Sequence, residues 1–241
     1  MMSGDAPQTL LADGKRIDGR SANQIRPLRI EAGLLQNADG SAYIEQGNNK
    51  ILVAVYGPRE VQPKHLTEMT RAIIKCRYMM APFSSIEGHG RTGPNRRATE
   101  ISKVIKEVFE NVVLLNEFPQ SQIEVFVEVL QADGSTRTAG VTAAAVALAD
   151  AGIPMRDIVY GVSIGKLGET LVTDLNMIED NYAQCDMALA LSPRTGEVLL
   201  LQMEGSLTKE QLDDALRLGA AAGEHIGKAQ RSALRKLYYK G

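Results

Sequence analysis

The 241-residue chain has no tryptophan, only four phenylalanines, two cysteines and three histidines. So few aromatics mark no platform on which unpaired bases would stack. The cysteines and histidines show no zinc-ligand spacing, which argues against a structural zinc site. Cys76 and Cys185 lie far apart in apolar segments and are expected to be buried thiols, not a disulfide. No apolar run reaches the roughly 18 residues of a membrane-crossing helix. Residues 1–15 lack a basic stretch followed by an apolar one, so they are read as a flexible arm, and the cytoplasm is the default location. An excess of charge is missing too: 27 Lys and Arg stand against 29 Asp and Glu, a net of −2. A chain that coated nucleic acid over its whole surface would be basic. Any nucleic-acid site must therefore be a local patch, or be completed by another subunit. No linker rich in Pro, Gly or Ser interrupts residues 16–241, which are expected to form a single unit.

What is present is a regular alternation of patterns. Strands are expected at 27–35, 41–46, 50–56 (closed by Gly57-Pro58) and 72–80. Residues 84–95 carry Gly88, Gly90, Gly93 and Pro94 and read as a mobile loop. Ile101, Val104, Ile105, Val108, Phe109 and Val112 recur at three- and four-residue steps, the stripe of an amphipathic helix. A strand with strict alternation follows at 122–130, then a turn at 133–137 and an alanine-rich helix at 138–151, stopped by Gly152 and Pro154. The second half repeats the plan, with strands at 158–164, 170–175, 185–191 and 198–203. Thr208 and Gln211 then form a capping box for a last helix. Two strands-then-helix halves predict an α+β fold with helices packed on sheets.

Three groups of residues could carry chemistry. Gly134-Ser135-Thr136-Arg137 sits between a strand and a helix, where unpaired N–H groups and the helix dipole favour an anion. Small residues allow close approach, hydroxyls can donate, and Arg137 adds a planar fork. The same tetrapeptide also reads as an ordinary N-cap with an exposed arginine, and it is not a Walker A loop. Arg96-Arg97 precede the amphipathic helix, where positive charge opposes the dipole unless an anion joins it or both side chains splay into solvent. Asp174, Glu179, Asp180 and Asp186 surround the turn at 176–184, and Asp186 heads an otherwise apolar strand. Two such carboxylates could bind a divalent cation or share a proton, one then serving as general acid; a solvated acidic turn is the plainer reading. Together, an anion cradle, added arginines and paired carboxylates suit phosphoryl transfer.

Four stretches occur in the order seen in the RNase PH family, which the chain resembles from about Arg16 to the C-terminus. They are Arg96-Arg97-Ala98-Thr99-Glu100-Ile101, the run from Leu130 through Gly134-Ser135-Thr136-Arg137 to Thr138, the run from Ala147 through Gly152-Ile153-Pro154 to Met155, and Asp174-Leu175-Asn176 with Glu179-Asp180 and Asp186-Met187. The opening Arg16-Ile17-Asp18-Gly19-Arg20 fits as well, and the wording is most similar to the catalytic archaeal-exosome branch. The resemblance implies an RNase PH fold and a 3′-to-5′ exoribonuclease that uses inorganic phosphate as co-substrate, with Mg²⁺ as divalent ion. It releases nucleoside diphosphates and, in reverse, tails RNA. By the same resemblance Arg97, Ser135, Thr136 and Arg137 hold phosphate. Asp180 is the general acid or metal-linked carboxylate and Asp186 its partner. Arg96, Lys64 and His65 grip single-stranded RNA. The implied partners are an inactive RNase-PH-like subunit, alternating in a hexameric ring, and RNA-binding cap proteins; no membrane is involved. The family often has Gly where this chain has Ser135, which bears on the backbone of the cradle.

Two other readings compete. A homohexameric RNase PH that trims tRNA 3′ ends would run the same chemistry in a different assembly. A non-catalytic RNA-binding ring subunit would lack the paired carboxylates and the cradle arginine, whereas Asp180, Asp186 and Arg137 are all present.

Overall fold

A computed structural model of the chain describes residues 10–12, 14–85 and 95–239. Most of the loop expected at 84–95, and most of the arm expected at 1–15, lie outside the described residues. The described end of that arm is regular: β1 (Leu11–Ala12) pairs antiparallel with β2 (Lys15–Arg16).

A five-stranded sheet follows, made of β3 (Leu28–Ala32), β4 (Gly40–Gln46), β5 (Asn49–Glu60), β6 (Ile73–Met80) and β7 (Ser121–Gln131), in the order β3-β4-β5-β7-β6. Only the β6–β7 pair is parallel. Strand β5 runs past Gly57-Pro58, where the sequence pattern ends it, because a register shift between Tyr56 and Arg59 lets it rejoin β7 at Gln122. Helix α1 (Arg96–Val112) connects β6 to β7, with Asn95 as N-cap accepting from the Ala98 N–H. The predicted stripe is its buried face.

Helix α2 (Thr136–Asp150) is buried on nearly every side, from Thr136 through Leu148. It has the five-stranded sheet on one side. On the other lies a four-stranded sheet of β8 (Tyr160–Leu167), β9 (Thr170–Thr173), β10 (Cys185–Leu191) and β11 (Val198–Gly205), in the order β11-β10-β8-β9. Alanine makes this possible, since a narrow helix can lie close to two backbones at once. A Cβ at Gly161 of β8 would strike the Thr138 carbonyl, and one at Gly40 of β4 would strike Ala147 and Ala151. Tyr160, Val162 and Ile164, on the far face of β8, pack with Met187, Leu189 and Ala215 against α4 (Lys209–Tyr238), whose capping box joins Thr208 and Gln211. The layers are sheet, α1 with α2, sheet, α4, an α+β architecture as expected. Between Asn176 and Gln184, where a turn is predicted, the chain forms a short helix, α3 (Met177–Tyr182), with a capping box joining Asn176 and Glu179. Cys185 is buried and Cys76 half-buried; both are free.

Candidate active site

Strand β6 delivers α1, and β7 delivers α2, at the same end of the five-stranded sheet, because β6 and β7 run parallel. Strands β10 and β11 bring α3's neighbour Asp186 and its cross-strand partner Glu204 to the same place. The result is an open cavity of about 730 Å³, lined by Arg97, Glu100, Arg137, Asp180, Asp186 and Gln202, with Asn181, Met203 and Glu204 at its edge.

The turn into α2 is the cradle. Gly134 has φ +70°, and a Cβ there would collide with the Asn176–Met177 backbone, so only glycine lets the turn seat against the N-terminus of α3. Among the described residues the N–H groups of Ser135, Thr136, Arg137 and Thr138 have no acceptor, the first intrahelical bond being Ala139 N–H to the Ser135 carbonyl. Four free amides and the positive helix end make an anion seat. The side chain of Ser135 takes no part in it, contrary to the expected hydroxyl donor. It donates to the Leu175 carbonyl (2.7 Å) and meets the Ser163 hydroxyl, so only its N–H can reach a ligand. Thr136 is buried and accepts from the Tyr78 hydroxyl (2.8 Å), while its own proton is free to donate. Tyr78 is thus a core residue.

Ser135 sits at φ +58°, a region that favours glycine and costs another residue about 1–2 kcal/mol. Its two hydrogen bonds, each worth roughly 0.5–1.5 kcal/mol, offset that cost. Ser135→Ala keeps the strain and loses the bonds, so a destabilisation of about 1–3 kcal/mol is expected. Ser135→Gly removes both and should stay within about 1 kcal/mol of the parent. Urea denaturation of the two variants separates them; equal stabilities would remove this account.

Arg137 is held from two sides. It donates through Nη1 to Gln202 Oε1, and Nη2 lies 3.8 Å from Glu100, while its buried Nε has no partner. Arg97 is exposed on the first turn of α1 and faces the cavity. Arg96, also exposed, is outside the cavity lining. Both arginines lie inside the helix, one turn earlier than the apolar stripe suggests. Lys64 and His65 occupy a short 3₁₀ turn near the start of β7, where Gln62 N–H donates to Gln122. The cradle follows the other end of that strand, about 30 Å away by strand rise. They do not share a site with the cradle in this chain.

The four carboxylates of the second group separate. Asp174 and Glu179 are fully buried and bound to arginine. Asp180 and Asp186 face the cavity. Burial, then the adjoining Asp180 charge and hydrogen bond, push the Asp186 carboxyl up from 3.8 to about 7. Its Oδ1 is buried with no hydrogen-bond partner. A carboxyl whose pKa is raised by folding resists ionisation in the fold. Its contribution is therefore intact below the unfolded value near 4 and lost as pH rises to about 7. The ceiling for a displacement from 3.8 to about 7 is roughly 4 kcal/mol, and partial exposure with a proton shared with Asp180 reduces it. Asp186→Asn should thus be about 1–3 kcal/mol more stable than the parent at pH 8, with the gain shrinking to zero near pH 4. A gain that does not change with pH, measured by urea titration, would contradict the raised carboxyl.

Behind the cavity lies a cluster that the sequence reading does not anticipate. Arg16, Arg20 and Arg26 are buried around Asp174 and Glu179. Arg26 donates to Asp174 through its N–H (2.7 Å), Nε (3.0 Å) and Nη2 (2.6 Å), and also to the Asp133 and Gly134 carbonyls. Arg16 pairs with Glu179 and donates to the Asp174 carbonyl (2.8 Å). The cluster thereby clamps the cradle turn to the segment that carries Asp180. Glu100, Gln202 and Glu204 are likewise missed. Gln202 and Glu204 alternate on one strand, but only the pairing of Asp186 with Glu204 places them at the site.

Comparison with known proteins fits this arrangement. Residues 24–154 match the family model described as 3′ exoribonuclease family, domain 1, and residues 157–222 match domain 2 of the same family. The chain is 51% identical over 228 residues to the exosome complex component Rrp41 of Thermococcus kodakarensis, covering 95% of this chain and 91% of that one. It is 50% identical over 226 residues to the Rrp41 of Thermoplasma volcanium, covering 94% and 91%. Among solved structures, rice (Oryza sativa) Rrp46 superposes with a TM-score of 0.82 at 25% identity, over 91% of this chain and 100% of that one. The Archaeoglobus fulgidus exosome with RNA bound to the active site superposes with 0.77 at 21% identity, over 90% and 92%, a likeness of fold. With both domain models matched in order, and with an anion seat facing paired carboxylates where the two domains meet, the chain belongs to the 3′ exoribonuclease, or RNase PH, family.

Proposed function

We propose that this chain is the catalytic subunit of an archaeal-type exosome ring and shortens single-stranded RNA from its 3′ end by phosphorolysis. The observation that carries the reading is the meeting, in one cavity, of Arg97 and Arg137 with Asp180 and Asp186, Arg137 standing in the first turn of α2 beside its free amides. Inorganic phosphate sits on the amides of Ser135 to Thr138, with Thr136, Arg97 and Arg137 as further donors. One of its oxygens attacks the phosphorus of the last phosphodiester. The bond from that phosphorus to the 3′ oxygen of the preceding nucleotide breaks, and the leaving oxygen takes a proton from the Asp180–Asp186 pair. A nucleoside diphosphate leaves, and the RNA, one residue shorter, keeps a free 3′ hydroxyl. The same steps in reverse add nucleotides. Arg97 and Arg137, which line the cavity, supply the positive charge that stabilises the equatorial oxygens in the transition state.

Two neighbouring carboxylates, Asp180 and Asp186, one with an unpartnered buried oxygen, would hold a Mg²⁺ ion. No larger cluster of potential ligands occurs among the described residues. When bound, the ion would neutralise charge on the phosphoryl oxygens.

The partner set belongs to the same proposal: an inactive RNase-PH-like subunit alternating in a six-membered ring, with RNA-binding cap proteins, in the cytoplasm. The relatives named as exosome complex components support a place in an assembly with other subunits. Lys64 and His65, remote from the cavity, would then grip RNA at a second place, and Arg96 beside Arg97 would hold its backbone. Residues 16–241 would work as a single catalytic unit.

The test is 5′-labelled RNA with and without phosphate, alone and with a candidate ring partner. Shortening that requires phosphate and yields diphosphates is expected; monophosphates formed without phosphate would overturn the reading. Arg137→Ala should raise the KM for phosphate about tenfold or more, as loss of a charge-assisted pair implies. An unchanged KM would move the phosphate seat elsewhere.

A further inference from the structure

Helix α4 ends in a face that the phosphorolytic site does not use. Lys228, Arg231, Ser232, Arg235, Lys236 and Tyr239 line an open groove of about 480 Å³. Their three- and four-residue spacing puts them on one side of the helix, along about 16 Å of its length. Among the described residues none of these four cations has a carboxylate partner. In α1 the lysines are paired, Lys103 with Glu107 (3.7 Å) and Lys106 with Glu110 (3.5 Å). Earlier in α4, Arg217 meets Asp214 (3.2 Å). The helix dipole accounts for Arg235 and Lys236 in the last turn, but its field fades within that turn and leaves Lys228 and Arg231 unexplained. In a chain of net charge −2, this is a concentrated positive stripe. It ends at Tyr239, whose side chain is uncovered, the residue being 80% exposed.

Resting on the exoribonuclease reading, we propose that this groove binds the phosphodiester backbone of RNA upstream of the 3′ end being degraded, with Tyr239 as platform for one base. A linear polyanion fits a linear row of cations, and an aromatic at its end suits single strands, whose bases are free to stack. The groove lies at the far end of α2 from the cradle: Tyr238 donates its hydroxyl to Asp150 (2.7 Å), the last residue of α2, whereas Thr136 begins it. Fifteen helical residues span about 22 Å, roughly six nucleotides at the rise of a stacked strand. The contact therefore selects for length, and a short oligonucleotide in the cavity does not reach it.

The double variant Arg231→Ala/Arg235→Ala in the full chain tests this, since both side chains are exposed and folding can be checked by thermal melting. Its affinity for a 30-nucleotide single-stranded RNA should fall about tenfold at 100 mM salt, and the slope of log affinity against log salt should drop by about 1.4, two phosphates' worth. The KM for phosphorolysis of a tetranucleotide should not change. Unchanged 30-mer affinity and slope overturn the proposal, as does an equal loss with the tetranucleotide. Loss of polyglutamate binding with RNA binding intact would make the stripe a protein-docking face and overturn it too. If the parent protein fails to shorten the tetranucleotide with phosphate both alone and with its ring partner, the exoribonuclease reading falls, which the 30-mer comparison reports separately.

Discussion

Asp180→Asn will lower the rate of phosphorolysis by about 10²–10⁴-fold, the usual worth of a positioned proton donor. Its affinity for RNA should change by less than about threefold, since the cationic contacts that dominate RNA binding are untouched. Asparagine keeps the size of Asp180, but it cannot hold a shared proton and offers a cation only a neutral oxygen. Single-turnover shortening of labelled RNA at saturating phosphate isolates the chemical step. A rate within threefold of the parent would remove Asp180 from the reaction. The variant also carries an internal check. Asp180 is one of the charges that push the Asp186 carboxyl up to about 7, so its removal should bring that carboxyl down. The stability gain expected for Asp186→Asn at pH 8 should then shrink when it is made in the Asp180→Asn background.

Asp174→Ala will destabilise the protein by about 3–5 kcal/mol, the cost of leaving a buried charge without its partner. Asp174 is fully buried and takes hydrogen bonds from Arg26 and from Gln46 (2.9 Å), with Arg20 3.6 Å away. Burial works against the Arg26 guanidinium, yet Asp174 more than compensates and holds its pKa above the ordinary arginine value. Without Asp174 that cation is stranded in the interior. Truncating an exposed pair such as Lys103–Glu107 should cost less than about 0.5 kcal/mol and serves as control. Because Arg26 also ties the Asp133 and Gly134 carbonyls, any folded Asp174→Ala protein should bind phosphate more weakly. A loss below about 1 kcal/mol in urea denaturation would show that the arginines find other partners.

The contrast between Asp174 and Asp180 shows what a sequence can and cannot tell. Both stand in the same acidic stretch, and nothing in their spacing says that one is locked among arginines and the other faces a cavity. The partners of Asp174 come from positions about 150 residues away, and only the tertiary fold brings them in. The amphipathic stripe of α1 and the alternation of β7 were legible because burial on one face imposes a period. Helix α3 was not, since six residues give no period to read. Arg97 and Arg137 could be picked out because each stands in a distinctive local run that begins a helix. Gln202 could not, because it reaches the site only through the register of β10 with β11. Ser135 lies in the turn that the sequence marks as an anion cradle, yet its hydroxyl points inward, an outcome set by the positive φ at that residue and by Ser163 behind it.

Helix α2 lies between two sheets and presents no polar face to water. It could not exist as an exposed helix beside either sheet alone, because half of its apolar surface would then be bare. Its hydrogen-bonded amides, from Ala139 onward, should therefore exchange with deuterium only when the entire molecule opens, and they should report the global unfolding free energy. The two matched family domains meet between residues 154 and 157, yet this helix belongs to the first in sequence and to both in space. A chain cut there should yield two fragments that remain unfolded apart and recover structure only when mixed.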